Sequence, residues 1–429
     1  MSDGSVFAKL PEYIQAGLNK VAVEQGFTEG LYRFAFESSS KSGDGFMGDL
    51  FKVTINEKGH DVFIVVCKTL PQNEARKMYT ISLFHREVQT YNEVLPMLKK
   101  FQVEKGISDG DSQGFWSFPK SYYAYCDISK MEGVIIMEDL RERKFRMWNN
   151  AEPVDYQHTC LVVEELGKLH AVSFALKDQK PELFEQFKKL CDPLGRIIEN
   201  EPRQAMKKMM NGSCERAIST LDKDDELSRA KMQLIRGVVT DLYKSDTMAS
   251  EAEPYAVLGH GDCWVNNTMF CYAEDNKTPT EVSLFDWQLC RYVSPVLDLV
   301  YFIFISTDEE LRAEHYEELL LAYYKSLSHH LMRLGGNPER QFPRTAFKEQ
   351  LKRFGRFALL ISFLALPVIC TPSDELPDIE NHMAIAQKAP GEDTPPVEEA
   401  KFSVSQRADA IYRKRARGLI RDMVKLEYL

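Results

Sequence analysis

The hydrophobic period changes once along this chain, and that change limits the fold more than any single residue does. Between Leu31 and about residue 138 the apolar residues come in short β-rich runs, LYRFAF, LFKVTI and DVFIVVCK, parted by clusters of Gly, Ser, Asp and Asn. Short runs divided by turn formers are the pattern of an antiparallel meander. Two more strands are expected around FPKSYYAYC and at GVIIMED. One long helix should separate the third strand from the fourth, from about residue 75 to 100 and ending near Pro96. Past Leu140 the spacing turns helical over 154–176, 206–243, 309–334 and 345–370, as it is over 10–27. Only NNTMFCY and EVSLFDW interrupt it with β-like runs. The expectation is an α+β chain of two lobes. A small antiparallel-sheet lobe covers 1–138 and a larger, mostly helical lobe covers 139–429, with a hinge at 137–141 and a β-hairpin inside the second lobe.

Charge excludes one class of partner. The 54 Lys and Arg against 64 Asp and Glu leave a net charge of −10, which is unsuited to holding a nucleic-acid backbone. The longest uncharged apolar run, FALLISFLALPVIC, has fourteen residues with Pro367 inside it. A bilayer needs about 20, so this run is expected as a buried core helix and no transmembrane segment is expected. The opening MSDGSVFAKLPEYIQ lacks the basic and apolar regions of a secretory signal. Nine scattered cysteines with no CxxC pair suit reduced thiols and a cytoplasmic location. Residues 373–400 carry eight acids against one lysine, with four prolines, and are expected as a mobile acidic loop. The basic, amphipathic 403–429 is expected to dock on the body of the protein. No obligate protein partner is evident.

Four constellations carry chemistry. Gly43, Gly45 and Gly48 form a GxGxxG between two strands, as in the hairpin that covers ATP phosphates in protein kinases. A dinucleotide fold would instead place such glycines between a strand and a helix. Lys68 ends the third strand run, and Glu87 comes nineteen residues later inside the expected helix. That spacing suits a lysine that reaches the α- and β-phosphates and is held by a carboxylate. His260-Gly261-Asp262-Cys263-Trp264-Val265-Asn266-Asn267 matches an H-x-D-x-x-x-x-N loop, and Asp286 comes nineteen residues beyond Asn267. Asp262 can accept a proton from an attacking hydroxyl, while Asn267 and Asp286 offer hard oxygens to magnesium. There is no GxxxxGK[ST], HExxH or GxSxG. His329 and His330 are expected on a solvated helix face, and Cys263, Cys271 and Cys290 lack zinc spacing.

The HGDxxxxN loop followed by D-[FW]-Q resembles the aminoglycoside phosphotransferase and choline kinase branch of the kinase-like fold. Within that branch, HGDCWVNNTMF, VVCKTLP, FHREVQTYNEVLP, IMEDL, LGKLHA and DWQLCRYVSPVLDLVYF resemble the CHK kinase-like, or ecdysteroid kinase-like, proteins of arthropods. The match runs from about residue 30 to 335. The glycine loop departs from the family's usual GDN followed by an aromatic and a serine. The resemblance implies a bilobal protein kinase-like fold with ATP and Mg2+ in the cleft. It also implies transfer of the γ-phosphoryl group to a hydroxyl of an ecdysteroid, a steroid-like molecule or a xenobiotic, in hormone inactivation or detoxification. It implies too that the backbone of Glu138 and Leu140 meets adenine, that Asp298 braces the catalytic loop and that His260 is scaffold. No activation loop follows Asp286, so the acceptor is expected to be a small molecule, in a pocket built from residues around 200–245 and 310–370. Two rivals stand beside this. A choline- or aminoglycoside-type kinase would need an acidic cluster or aromatic cage for a cationic acceptor. A non-catalytic nucleotide- or ligand-binding module would usually lack one of Lys68, Glu87, Asp262, Asn267 and Asp286, and all five are present.

Overall fold

A computed structural model describes residues 6–38, 49–149, 152–200, 204–371 and 405–429. Gly43, Gly45 and Gly48 and the acidic segment 373–400 lie outside the described residues. The first helix, α1 (Glu12–Glu24), leads into strands β1 (Arg33–Ser38), β2 (Asp49–Asn56) and β3 (Phe63–Thr69). Helices α2 (Glu74–Gln89) and α3 (Leu95–Glu104) come next, then β4 (Ser121–Asp127) and β5 (Glu132–Glu138). The five strands form one antiparallel sheet in the order β1-β2-β3-β5-β4.

Strand alternation decides what each face does. Val65 and Cys67 of β3 point toward α1 and share a core with Leu18, Val21, Val53, Ile55, Val134 and Ile136. Val66 and Lys68 therefore take the opposite face, where Ile135 and Met137 join the large core that continues into the helical lobe. Period two alone sends the Lys68 side chain toward the second lobe.

The helix after β3 does not end near Pro96. A five-residue π-turn, Thr90–Val94, joins α2 to α3, which runs on to Glu104 with Pro96 in its first turn. A proline lacks the N–H that would bond back and crowds the preceding turn. The wider turn takes up that conflict, so the helix continues.

Beyond β5 come a two-residue strand β6 (Arg146–Met147) and the long helix α4 (Tyr156–Gln179). Several shorter helices follow, among them α5 (Val239–Asp246), and then β7 (Val257–Gly259), β8 (Thr268–Tyr272), β9 (Pro279–Leu284) and β10 (Arg291–Val293). The expected β-hairpin is β8–β9. Helices α6 (Val296–Ser306), α7 (Glu309–Arg333), α8 (Arg344–Phe354), α9 (Phe357–Ile369) and α10 (Gln406–Lys425) complete the lobe. Every residue of α6 is buried, Asp298 included. Helix α9 is the core helix expected from the apolar run. Helix α10 docks as expected. Tyr412, Leu419, Ile420 and Met423 are buried, and its basic side chains meet acids, Arg421 with Asp222 and Asp225 and Lys414 with Glu310.

His330 corrects the sequence expectation. Only His329 is exposed; His330 is buried, with its Nε2 3.2 Å from Oε1 of Gln102. It falls on the stripe of Tyr323, Leu327 and Leu331, which the 3.6 period turns inward. Burial pushes its imidazole down to about 3. Among the described residues no helix is long and apolar enough to cross a membrane.

Candidate active site

Lys68 reaches across the lobes. Its Nζ lies 2.6 Å from Oε2 of Glu87 on α2 and 2.8 Å from Oδ1 of Asp286, just beyond β9. Lys68 and Glu87 are buried, Glu87 almost completely. Burial alone would favour the neutral amine, but the Asp286 and Glu87 carboxylates outweigh it and hold the ammonium charged. For Glu87 burial pushes the carboxyl up, the Lys68 ammonium pulls it back and Asp286 adds a further upward push. Asp286 itself sits in the left-handed region, with φ at 63°, a conformation that costs a non-glycine residue energy and gathers at functional sites.

The 260–267 loop is held from beneath. Asp298 Oδ2 accepts the backbone N–H of His260 at 2.7 Å, and its Oδ1 accepts that of Gly261 at 2.8 Å. His170 of α4 stands 3.3 Å from the same Oδ2, with its other ring nitrogen 2.8 Å from the Tyr323 hydroxyl. Burial opposes ionisation of Asp298, yet His170, His260 and the Gly261 amide keep its carboxyl below the usual range. The expected brace is therefore present, made from backbone amides and from His170. The His260 ring looks elsewhere. Its Nδ1 accepts the Asp262 N–H at 3.3 Å and its Nε2 lies 3.0 Å from the Phe285 carbonyl. With burial pulling its imidazole below the ordinary value, the neutral ring donates to Phe285 and ties the loop to the chain just before Asp286.

Two glycines make this loop possible. A Cβ at Gly259 would meet Asp298 Oδ2 at 2.5 Å. At Gly261, where φ is +86°, it would meet the Leu289 carbonyl oxygen at 1.9 Å. Gly261→Ala is expected to destabilise the protein by at least about 1–3 kcal/mol through backbone strain alone, with the clash adding to that. Urea midpoints of the two proteins measure the loss, and an unchanged midpoint would contradict the close approach.

Asp262 is held on both oxygens. Asn267 Nδ2 donates to Oδ2 at 3.0 Å and to the Asp262 carbonyl at 2.9 Å, and the Tyr301 hydroxyl donates to Oδ1 at 3.0 Å. Burial, followed by the Asp286 charge, pushes the Asp262 carboxyl up to about 6, against hydrogen bonds from Tyr301, Asn267 and Gln288. Asn267 spends its amide nitrogen on Asp262, which leaves its Oδ1 as the atom for a hard cation. With the carboxylate of Asp286, that donor set fits magnesium, which takes one or two protein oxygens and completes its shell with water and phosphate. Among the described residues no three or more His, Cys, Asp and Glu cluster in a way that could hold a metal by themselves.

At the hinge, β5 ends on Glu138, whose N–H donates to the Lys120 carbonyl at 2.9 Å. Asp139 caps the next turn, accepting from the Arg141 N–H and gripping its guanidinium at 2.7 and 2.9 Å. The Glu138 carboxylate is taken by the Lys120 amide and by Arg143, and the Leu140 side chain is buried. The side chains here are spent on shaping the turn.

Sequence reasoning missed two partners. Tyr301 lies three residues beyond Asp298 in α6, and on a helix that spacing turns both toward one neighbour; the signal was in SPVLDLVYF. Arg86, beside Glu87, donates from Nη1 to the carbonyls of Cys191 (3.0 Å) and Cys290 (2.5 Å). It fastens α2 to the helical lobe directly behind Asp286.

No curated protein matches the chain. A model of the ecdysteroid kinase-like family matches residues 42–336, more than two thirds of the sequence, and that span contains Lys68, Glu87, Asp262, Asn267, Asp286, Asp298 and Tyr301. With the α+β bilobal architecture and the Lys68–Glu87–Asp286 contact already in view, the match settles the kinship: the chain belongs to the ecdysteroid kinase-like family.

Proposed function

We propose that this protein transfers the γ-phosphoryl group of ATP to a hydroxyl of a small lipophilic molecule of the ecdysteroid, steroid-like or xenobiotic class, in the cytoplasm. The observation that carries the reading is the pair of contacts made by Lys68. One ammonium bridges Glu87 from the sheet lobe and Asp286 from the helical lobe, next to an aspartate held on both oxygens. A purely structural ion pair would need neither the second carboxylate nor the oriented aspartate.

In this reading the lobes meet at 138/139. Lys68, steadied by Glu87, binds the α- and β-phosphates, and the backbone of Glu138 and Leu140 meets the adenine edge. Gly43, Gly45 and Gly48 cover the phosphates. Asn267 and Asp286 hold Mg2+, which when bound neutralises charge moving between the phosphates. Asp262 takes the acceptor's hydroxyl proton as that oxygen bonds to the γ-phosphorus. The bond from phosphorus to the bridging β-phosphate oxygen breaks, and ADP leaves with the electron pair.

A small acceptor is favoured by the short path after Asp286. One turn, Trp287–Leu289, and the short β10 lead into α6 at Val296, so no peptide-docking segment intervenes. The lipophilic class of acceptor rests on the family match; the rings beyond Asp262 are buried against one another. Tyr301 packs edge-on to Phe357 at 6.4 Å, and Phe357 in turn meets Tyr243 at 5.7 Å. Both come from segments expected to build the pocket. The cytoplasmic location is supported by nine unpaired cysteines.

The test incubates the protein with ATP and magnesium against ecdysteroids, phenolic glycosides, choline and aminoglycosides, and reads the mass of one added phosphoryl group. Product is expected only from the lipophilic hydroxyls. It should disappear in excess chelator and in Asp286→Ala, where a methyl cannot replace a metal ligand. Product from choline or an aminoglycoside alone would favour the cationic-acceptor kinase. Tight nucleotide binding with no product from any acceptor would favour the binding module.

A further inference from the structure

The Asp262 carboxylate is not free to turn, and its role as proton acceptor in the function proposed above is the premise on which this inference rests. Asn267 holds Oδ2 and the Tyr301 hydroxyl holds Oδ1, each at 3.0 Å. The two grips differ in origin. Asn267 belongs to the same loop, whereas Tyr301 rises from α6, a helix whose every residue is buried. One turn earlier on that helix, Asp298 fixes the backbone of the loop through the His260 and Gly261 amides.

Packing alone does not account for a tyrosine here. The helix reads VLDLVYFIFIS, and phenylalanine would fill the same space without burying a hydroxyl. A buried phenol needs a partner, and its partner is a carboxylate, which makes the bond charge-assisted and short-ranged. We propose that Tyr301 is a positioning residue for phosphoryl transfer: its hydroxyl, anchored by α6, locks the Asp262 carboxylate in one rotamer and keeps it ready for the acceptor's proton.

Tyr301→Phe keeps the ring and removes only that donor. At saturating ATP and magnesium, kcat for the acceptor should fall about tenfold in Tyr301→Phe, the size expected for one hydrogen bond to a charged group, while the KM for ATP and the urea unfolding midpoint stay unchanged. An unchanged kcat in Tyr301→Phe, or a loss that only tracks a lowered unfolding midpoint, while Asp262→Asn still abolishes transfer, overturns this inference and leaves the proposed function standing. Full turnover in Asp262→Asn removes the role of Asp262 as base, and the inference with it.

Discussion

Asp262→Asn is expected to lower the rate of phosphoryl transfer by a factor of about 10² or more, while the fold and ATP binding persist. The substitution conserves shape, and Asn267 and Tyr301 surround a side chain of nearly the same outline. It removes the carboxylate proposed to take the acceptor's proton. Because burial and Asp286 raise the Asp262 carboxyl to about 6, the wild-type rate should fall on the acid side, below about pH 6, as the carboxylate protonates. The asparagine variant should lack that limb. Rates from pH 5 to 9 for both proteins, with thermal unfolding as a control, make the measurement. Residual turnover that merely tracks the folded fraction would reassign Asp262 to a structural role.

Lys68→Met and Glu87→Gln should each lower transfer by one to two orders of magnitude, about the effect of losing one preorganised electrostatic contact. Together they should cost little more than either alone, since the second change acts on a unit already broken. A double-mutant cycle on the transfer rate reads this coupling, and simple additivity would show that the two do not act as a pair. Their effects on stability should differ. Glu87→Gln leaves Lys68 with Asp286 as a partner. Lys68→Met leaves Glu87 and Asp286, two carboxylates in one site, with no cation between them. Breaking a buried pair in this way costs on the order of 3–5 kcal/mol. Burial, with Asp286 adding to it, already holds the folded-state Glu87 carboxyl above its unfolded value against the pull of Lys68, and losing the ammonium raises it further. The destabilisation should therefore be small in acid, where Glu87 is protonated in both states, and grow as pH rises. Denaturant unfolding at pH 5 and pH 8 compares the two variants, and an equal loss at both values would contradict the three-way contact.

The proposed site residues Lys68, Glu87, Asp262, Asn267 and Asp286 stand out by spacing because each belongs to an element whose local geometry the spacing encodes. A lysine at the end of an apolar strand, on the face opposite Val65 and Cys67, has one direction to point. A glutamate among Phe84, Val88 and Tyr91 lies on the inward side of its helix. The five-stranded sheet with a helix after its third strand was legible for the same reason, since periods of two and 3.6 are local properties. Where sequence reasoning went astray, a competing local rule had been applied too strictly. Pro96 does not end its helix, because the Thr90–Val94 π-turn accommodates it. His330 is buried because it falls on the inward stripe of Tyr323, Leu327 and Leu331, a local period that treating the His329-His330 pair as one polar face overlooks.

Strand and helix order, the faces those elements present and the residues able to handle phosphate, metal and proton are thus properties of short stretches of chain. Which of those residues meet is not, and it was set by the packing of distant elements. Lys68 touches Asp286 across 218 positions, Asp298 grips the amides of His260 and Gly261, Tyr301 closes on Asp262 across 39, and Arg86 ties the Glu87 helix to the carbonyl of Cys290 across 204. Periodicity reports the direction in which a side chain leaves its own backbone. The partner it finds depends on how separate elements pack, and close-packed interiors fix that only when the whole chain has folded.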